Sequence, residues 1–190
     1  MTRDIIIAGV GGQGVLSAAA IIAAAASIEG LHLRQSEVHG MAQRGGAVVA
    51  NLRMSDKPIC SDLIPLGSAD LILSLEPLES LRYAPWLSPG GALISASKPF
   101  KNIPNYPDIN TIYDAIKCFP VYKIIDAEKT AKEAGFPKSV NIVMAGAASA
   151  FLPLKEETLF QAIAEIFKNK GTTVIEANKK AFILGRAQSG

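Results

Sequence analysis

IIIAGVGGQGVLSAAAIIAAAASIEG, residues 5–30, carries three signals in succession. Ile5, Ile6, Ile7 and Ala8 are apolar without alternation, the pattern of a strand buried on both faces in a parallel sheet. Glycines at 9, 11 and 14 follow with Gly-x-Gly-x-x-Gly spacing, which lets a backbone approach a pyrophosphate. Residues 13–29 then read as a helix ending near Gly30. Its alanines allow close packing against the sheet and a neighbouring helix. The apolar run 15–28, broken only by Ser17 and Ser27, is too short for a membrane span and reads as a buried helix.

The same alternation of strand and helix extends outward from this stretch. Residues 31–38 form a second strand candidate, followed by the loop HGMAQRGG at 39–46 and a third strand at 47–54. In that third strand Asn51 and Arg53 share one face, and Val48, Ala50 and Leu52 share the other. Residues 68–75 are a buried strand, and Glu76-Pro77 opens a helix with proline where a missing N–H is harmless. SPGG at 88–91 reads as a turn into the strand 92–97. Pro99, Pro104 and Pro107 mark 98–108 as an irregular crossing. Helix at 109–118, strand at 121–126 and a short helix at 127–135 come next, and from Val140 the chain is helical almost to its end. No linker or internal repeat interrupts it. The expectation is a single three-layer α/β/α Rossmann-like domain over 1–190 with a helical C-terminal portion.

Composition narrows the function classes. A chain of 190 residues can bury roughly 70% of its unfolded surface. A mean hydropathy of +0.25 points either to surface buried against a partner or to a large core. The net charge of +2, without a basic stripe interleaved with aromatics, argues against nucleic acid. Cys60 and Cys118 are too few for a four-cysteine cluster or zinc site, so no metal site is expected within the chain. They read as small buried hydrophobes. With no signal-peptide pattern before the first strand, the expected location is the cytoplasm.

The glycine turn has two readings. A nucleotide would use the free N–H groups of the helix N-terminus, with Glu37 near the offset expected of a ribose ligand. Against this, the third strand follows the second after a short loop, where a dinucleotide fold requires a crossover of about a dozen residues. The other reading is tight helix packing and a partner-facing turn. Polar interest is concentrated in the loop 37–46. His39 is a proton carrier near neutral pH or a structural hydrogen-bonding residue. Arg44, followed by Gly45 and Gly46, offers a guanidinium beside unhindered N–H groups, suited to a carboxylate or phosphate, or else to an ion pair with Glu37. Glu76 is explained by the dipole of the helix it opens, and Asn141 is a candidate cap for the C-terminal helix.

GVGGQG at 9–14, followed by SEVHGMAQRGG at 36–46, resembles the gamma-type domain of the 2-oxoacid:ferredoxin oxidoreductases. EPLESLRY at 76–83 and AFILGR at 181–186 are similar to a narrower group, the small (beta) subunits of indolepyruvate ferredoxin oxidoreductases. The resemblance implies oxidative decarboxylation of a 2-oxo acid such as an arylpyruvate, with coenzyme A accepting the acyl group and ferredoxin the electrons. It further implies a large alpha subunit carrying thiamine diphosphate and iron–sulfur clusters, and a small chain that holds neither and is inactive alone. No catalytic residue is assigned to this chain. Gly11, Gly12, Gln13, Gly14, Glu37, His39, Arg44, Gly45 and Gly46 are the candidates for a surface facing substrate, coenzyme A or the partner. The turn and the loop are expected to leave the C-terminal ends of neighbouring strands and so to share one sheet edge. Alternatives are the gamma subunit of a pyruvate or other 2-oxoacid enzyme, or a stand-alone nucleotide-binding regulatory module. A homodimer is expected to be accessible to the isolated chain.

Overall fold

A computed structural model describes residues 1–40 and 45–189. Its centre is a six-stranded sheet: β1 (Thr2–Val10), β2 (His32–His39), β3 (Ala47–Ser55), β4 (Ala69–Ser74), β5 (Leu87–Ala96) and β6 (Tyr122–Ile125). Their spatial order is β2-β3-β1-β4-β5-β6. Strands β1, β4, β5 and β6 run parallel, as the uninterrupted apolar runs predict. The β2–β3 pair is an antiparallel hairpin, and β3 also pairs antiparallel with β1. The sheet is therefore mixed, because the 39–46 connection is too short to carry a parallel crossover.

Side-chain alternation divides the core between the two faces of the sheet. Ile5, Ile7, Leu52, Leu71, Leu73 and Ile94 lie on one face with the helices α1 (Val15–Ile28), α4 (Ala127–Glu133), α5 (Val140–Ser149), α6 (Glu156–Phe167) and α7 (Thr172–Ala187). Ile6, Val49, Ile72 and Leu93 lie on the other, against α2 (Pro77–Arg82) and α3 (Ile109–Lys117). Three layers result, with the helical C-terminal portion thickening one of them. Val48, Ala50 and Leu52 do share the α1 face. Arg53, on the opposite face, grips Asp4 through two bonds of 2.8 and 2.9 Å and also donates to the Ser61 and Leu63 carbonyls. Among the described residues no helix is long and apolar enough to cross a membrane.

Three local readings are corrected. SPGG is not a turn, since β5 is already extended from Leu87, with a register shift against β4 between Ala69 and Leu71. Gly91 marks that irregularity: a Cβ there would lie 2.7 Å from the Ala69 carbonyl oxygen. Cys60 and Cys118 are exposed, each in or beside a surface turn, and not buried. Asn141 does not cap the helix, because Ser139 occupies the N-cap of α5 and Asn141 lies inside the first turn.

Candidate functional site

The β1–β3 ladder ends at Val10 and Ala47, and the chain immediately beyond it builds the site. Gly11 donates its N–H to the Gly46 carbonyl at 2.8 Å, and Gly45 donates to the Gly11 carbonyl at 3.4 Å. The turn and the end of the 37–46 loop thus meet at one sheet edge. They do so through β3, which lies between β1 and β2; the expected adjacency of β1 and β2 is incorrect. β3 pairs antiparallel with both of them.

A cleft of about 350 Å³ opens at this edge, lined by Gly11, Gly12, Gly14, Leu16, His39 and Val48 among others. Gly12 and Gly14 have φ of +99° and +87°, where a side chain would be strained. A Cβ on Gly12 would meet open space, but one on Gly14 would lie 2.7 Å from Asn141 Nδ2. That Asn141 amide donates to the Gly14 carbonyl at 3.4 Å, tying the start of α1 to the start of α5. His39 is the single ionisable side chain among the described residues that line the cleft.

Gln13 turns away from the cleft. Its Oε1 accepts from the Val10 N–H at 2.8 Å and its Nε2 donates to the Leu75 carbonyl at 3.1 Å. Val10 ends β1 and Leu75 follows β4, at the point where crossovers diverge to opposite faces of the sheet. An α/β sheet places ligands in the crevice at such a point. Here one side-chain amide bridges it, and Gly9 permits the approach, since a Cβ there would lie 2.9 Å from Gln13 Oε1. Beside this bridge a pocket of about 290 Å³ remains, lined by Gln13, Leu75, Phe100 and Val140 among others.

Glu37 does not reach the turn as a ribose ligand would. It is exposed on the edge strand β2 and accepts from Gln35 Nε2 at 2.7 Å. Arg44, and with it the expected Glu37–Arg44 pair, lies outside the described residues. Glu76 is buried as the N-cap of α2, accepting from the Glu79 N–H at 2.9 Å, so the dipole reading holds. Its other oxygen accepts from the Phe100 N–H at 3.2 Å and from the Tyr106 hydroxyl. Burial first, and then this hydrogen bond to Glu76, push the Tyr106 hydroxyl well above its ordinary pKa. Burial likewise raises the Glu79 carboxyl, opposed by Arg82 at 3.0 Å.

The sequence did not mark the 98–108 crossing as part of this edge. Asn102 Nδ2 donates to the Gly45 carbonyl at 2.9 Å, bringing the crossing against the loop and turn. No local pattern announces this contact; three prolines and a polar residue in a loop are its only trace. Among the described residues no three His, Cys, Asp or Glu side chains come together in a metal-binding arrangement. Among the described residues the edge offers backbone groups, small residues and apolar wall, with His39 as its ionisable side chain.

The profile of the family described as "Pyruvate ferredoxin/flavodoxin oxidoreductase" matches residues 4–188. The chain belongs to that family. It is 36% identical to "Indolepyruvate oxidoreductase subunit IorB" of Thermococcus kodakarensis, an alignment covering 96% of this chain and 93% of that one. It is also 36% identical to the protein of the same name from Archaeoglobus fulgidus, covering 100% and 96%. The keto/oxoacid ferredoxin oxidoreductase gamma subunit of Geobacter sulfurreducens shares the fold with a TM-score of 0.71 and 27% identity, over 98% of both chains. In the 2-oxoglutarate:ferredoxin oxidoreductase of Magnetococcus marinus, solved with 2-oxoglutarate, coenzyme A and succinyl-CoA bound, the TM-score is 0.77 at 25% identity. There the match covers 99% of this chain but 31% of the other, so the same fold is one part of a longer polypeptide.

Proposed function

We propose that this chain is the small subunit of an indolepyruvate (arylpyruvate):ferredoxin oxidoreductase, which converts a 2-oxo acid to its acyl-CoA with electrons passing to ferredoxin. The observation that carries this reading is the near-full-length similarity to indolepyruvate oxidoreductase subunits at 35–36% identity from four organisms. A large subunit holds thiamine diphosphate and the iron–sulfur clusters; thiamine diphosphate supplies the carbanion chemistry when bound. The small subunit contributes surface. Its edge bearing Gly11, Gly12, Gly14, His39, Gly45 and Gly46 faces the large subunit near the entrance for substrate or coenzyme A. The antiparallel β2–β3 hairpin, in place of a crossover helix after β2, favours this reading over a stand-alone dinucleotide-binding module.

Anaerobic affinity purification of the tagged chain from its own cell tests the assignment. The expected partner is a large brown protein containing thiamine diphosphate, and the complex reduces ferredoxin with an arylpyruvate and coenzyme A in preference to pyruvate or 2-oxoglutarate. Recovery of a lone chain with measurable nucleotide affinity overturns it. In the reconstituted complex, Arg44→Ala is expected to raise the KM for the 2-oxo acid or coenzyme A with assembly intact. Unchanged assembly and unchanged KM for both remove the loop from the proposal.

A further inference from the structure

The 98–108 crossing leaves β5 at the same edge as the glycine turn and is anchored inside the protein. The buried Glu76 carboxylate holds it twice, at the Phe100 N–H and the Tyr106 hydroxyl, and the Tyr113 hydroxyl of α3 donates to the Ser97 carbonyl just before it. Between the two Glu76 contacts, the Asn102 N–H donates to the Phe100 carbonyl at 2.8 Å, which places the Asn102 side chain relative to the anchor. From there its amide reaches the Gly45 carbonyl. Gly45 has φ +80°, and the Gly45–Gly46 pair carries both backbone bonds to Gly11. A connected path therefore runs from a buried carboxylate, through Phe100 and Asn102, to the first peptide of the turn.

We propose that Asn102 is a positioning residue for the glycine turn: its amide holds the Gly45–Gly46 peptides, and through them Gly11, in the orientation that faces the partner. Gly45 carbonyl has Asn102 as its hydrogen-bond donor among the described residues. Both glycines lack the side-chain packing that would otherwise hold them. A donor delivered from an independently anchored segment supplies the missing restraint. The consequence in the complex rests on the reading of this edge as partner-facing; the positioning is a property of this chain alone.

Two variants separate these parts. Asn102→Ala removes the donor, and Asn102→Asp puts an acceptor at the same size. In the isolated full-length chain, amide hydrogen exchange at Gly11 is expected to quicken roughly threefold to tenfold in both, the range for loss of one hydrogen bond. Exchange in the β4 core and the unfolding midpoint shift by no more than that one-bond loss, because Asn102 is exposed and the Gly45 carbonyl is its side chain's hydrogen-bond partner among the described residues. Unchanged Gly11 exchange in both variants overturns the proposal. In the assembled enzyme, Asn102→Asp is expected to raise the KM for coenzyme A or the 2-oxo acid with kcat retained. Faster Gly11 exchange with unchanged KM keeps the positioning and overturns the partner-facing reading of the edge instead.

Discussion

Replacing Gln13 by alanine tests whether the glutamine of the GGQG turn is a structural bridge or an outward-facing functional group. The structure gives it two bonds to backbone groups of residues almost wholly withdrawn from solvent: Val10 is 1% exposed and Leu75 is 2% exposed. Each bond contributes about 1 kcal/mol net, so the change costs about 2 kcal/mol if water replaces the amide. Where water does not enter, the stranded Val10 N–H and Leu75 carbonyl raise the loss to about 4 kcal/mol. For a chain of this size that lowers Tm by roughly 4–16 °C. Gln13→Glu is the informative companion. It retains an acceptor for the Val10 N–H but sets a carboxylate against the Leu75 carbonyl, so it is expected to destabilise at neutral pH as well. Thermal and urea unfolding of the isolated chain read both variants. If alanine leaves Tm and the urea midpoint unchanged, the amide is not a structural bridge and this reasoning is refuted.

Two further outcomes follow from packing and from burial. At the α5–α7 crossing a Cβ on Gly185 would lie 2.0 Å from the Val143 carbonyl oxygen, and one on Gly146 2.1 Å from that of Phe182. Helix propensity alone favours Gly185→Ala by about 1 kcal/mol, but forcing the helices apart costs about 3 kcal/mol. The expected sign is therefore a lowered urea midpoint, and a raised one would show that the backbones do not meet. Burial raises the Glu79 carboxyl pKa, so the folded state holds this proton more tightly than the unfolded chain. Its contribution to stability is fully present below the unfolded pKa and is lost as pH rises through the folded one. The stability of wild type relative to Glu79→Gln is thus expected to fall as pH rises from below the ordinary glutamate pKa through the raised folded one, as read by urea unfolding at each pH. A flat difference refutes it.

Local patterns exposed much of the architecture because they depend on neighbours in the chain. The apolar run at 5–8, the alanine-rich helix and the proline after Glu76 each announce their element, and α2 begins at Pro77 as that proline predicts. Glycines were harder to read. A glycine demanded by positive φ, as at 14, and one demanded by a close backbone, as at 91, look alike in one dimension. SPGG was therefore legible as an interruption but not as an irregularity within a strand. The cysteines misled for another reason: the tendency of free thiols to be buried is a tendency of the residue type, and Cys60 and Cys118 lie in exposed segments.

By itself the sequence determined the strand–turn–helix opening, the succession of elements and, through motifs spaced in order along the chain, the family. The tertiary structure alone decided that β3 lies between β1 and β2, that Gln13 bridges β1 and β4, and that the 98–108 crossing supports the turn. The physical reason is range. Strand and helix periodicity arises from successive residues, whereas the bonds that define this edge join positions 62, 57 and 127 residues apart. No local preference encodes those partners. They meet because burying both faces of one sheet brings its loops to a common edge, and the polar groups stranded there must find one another.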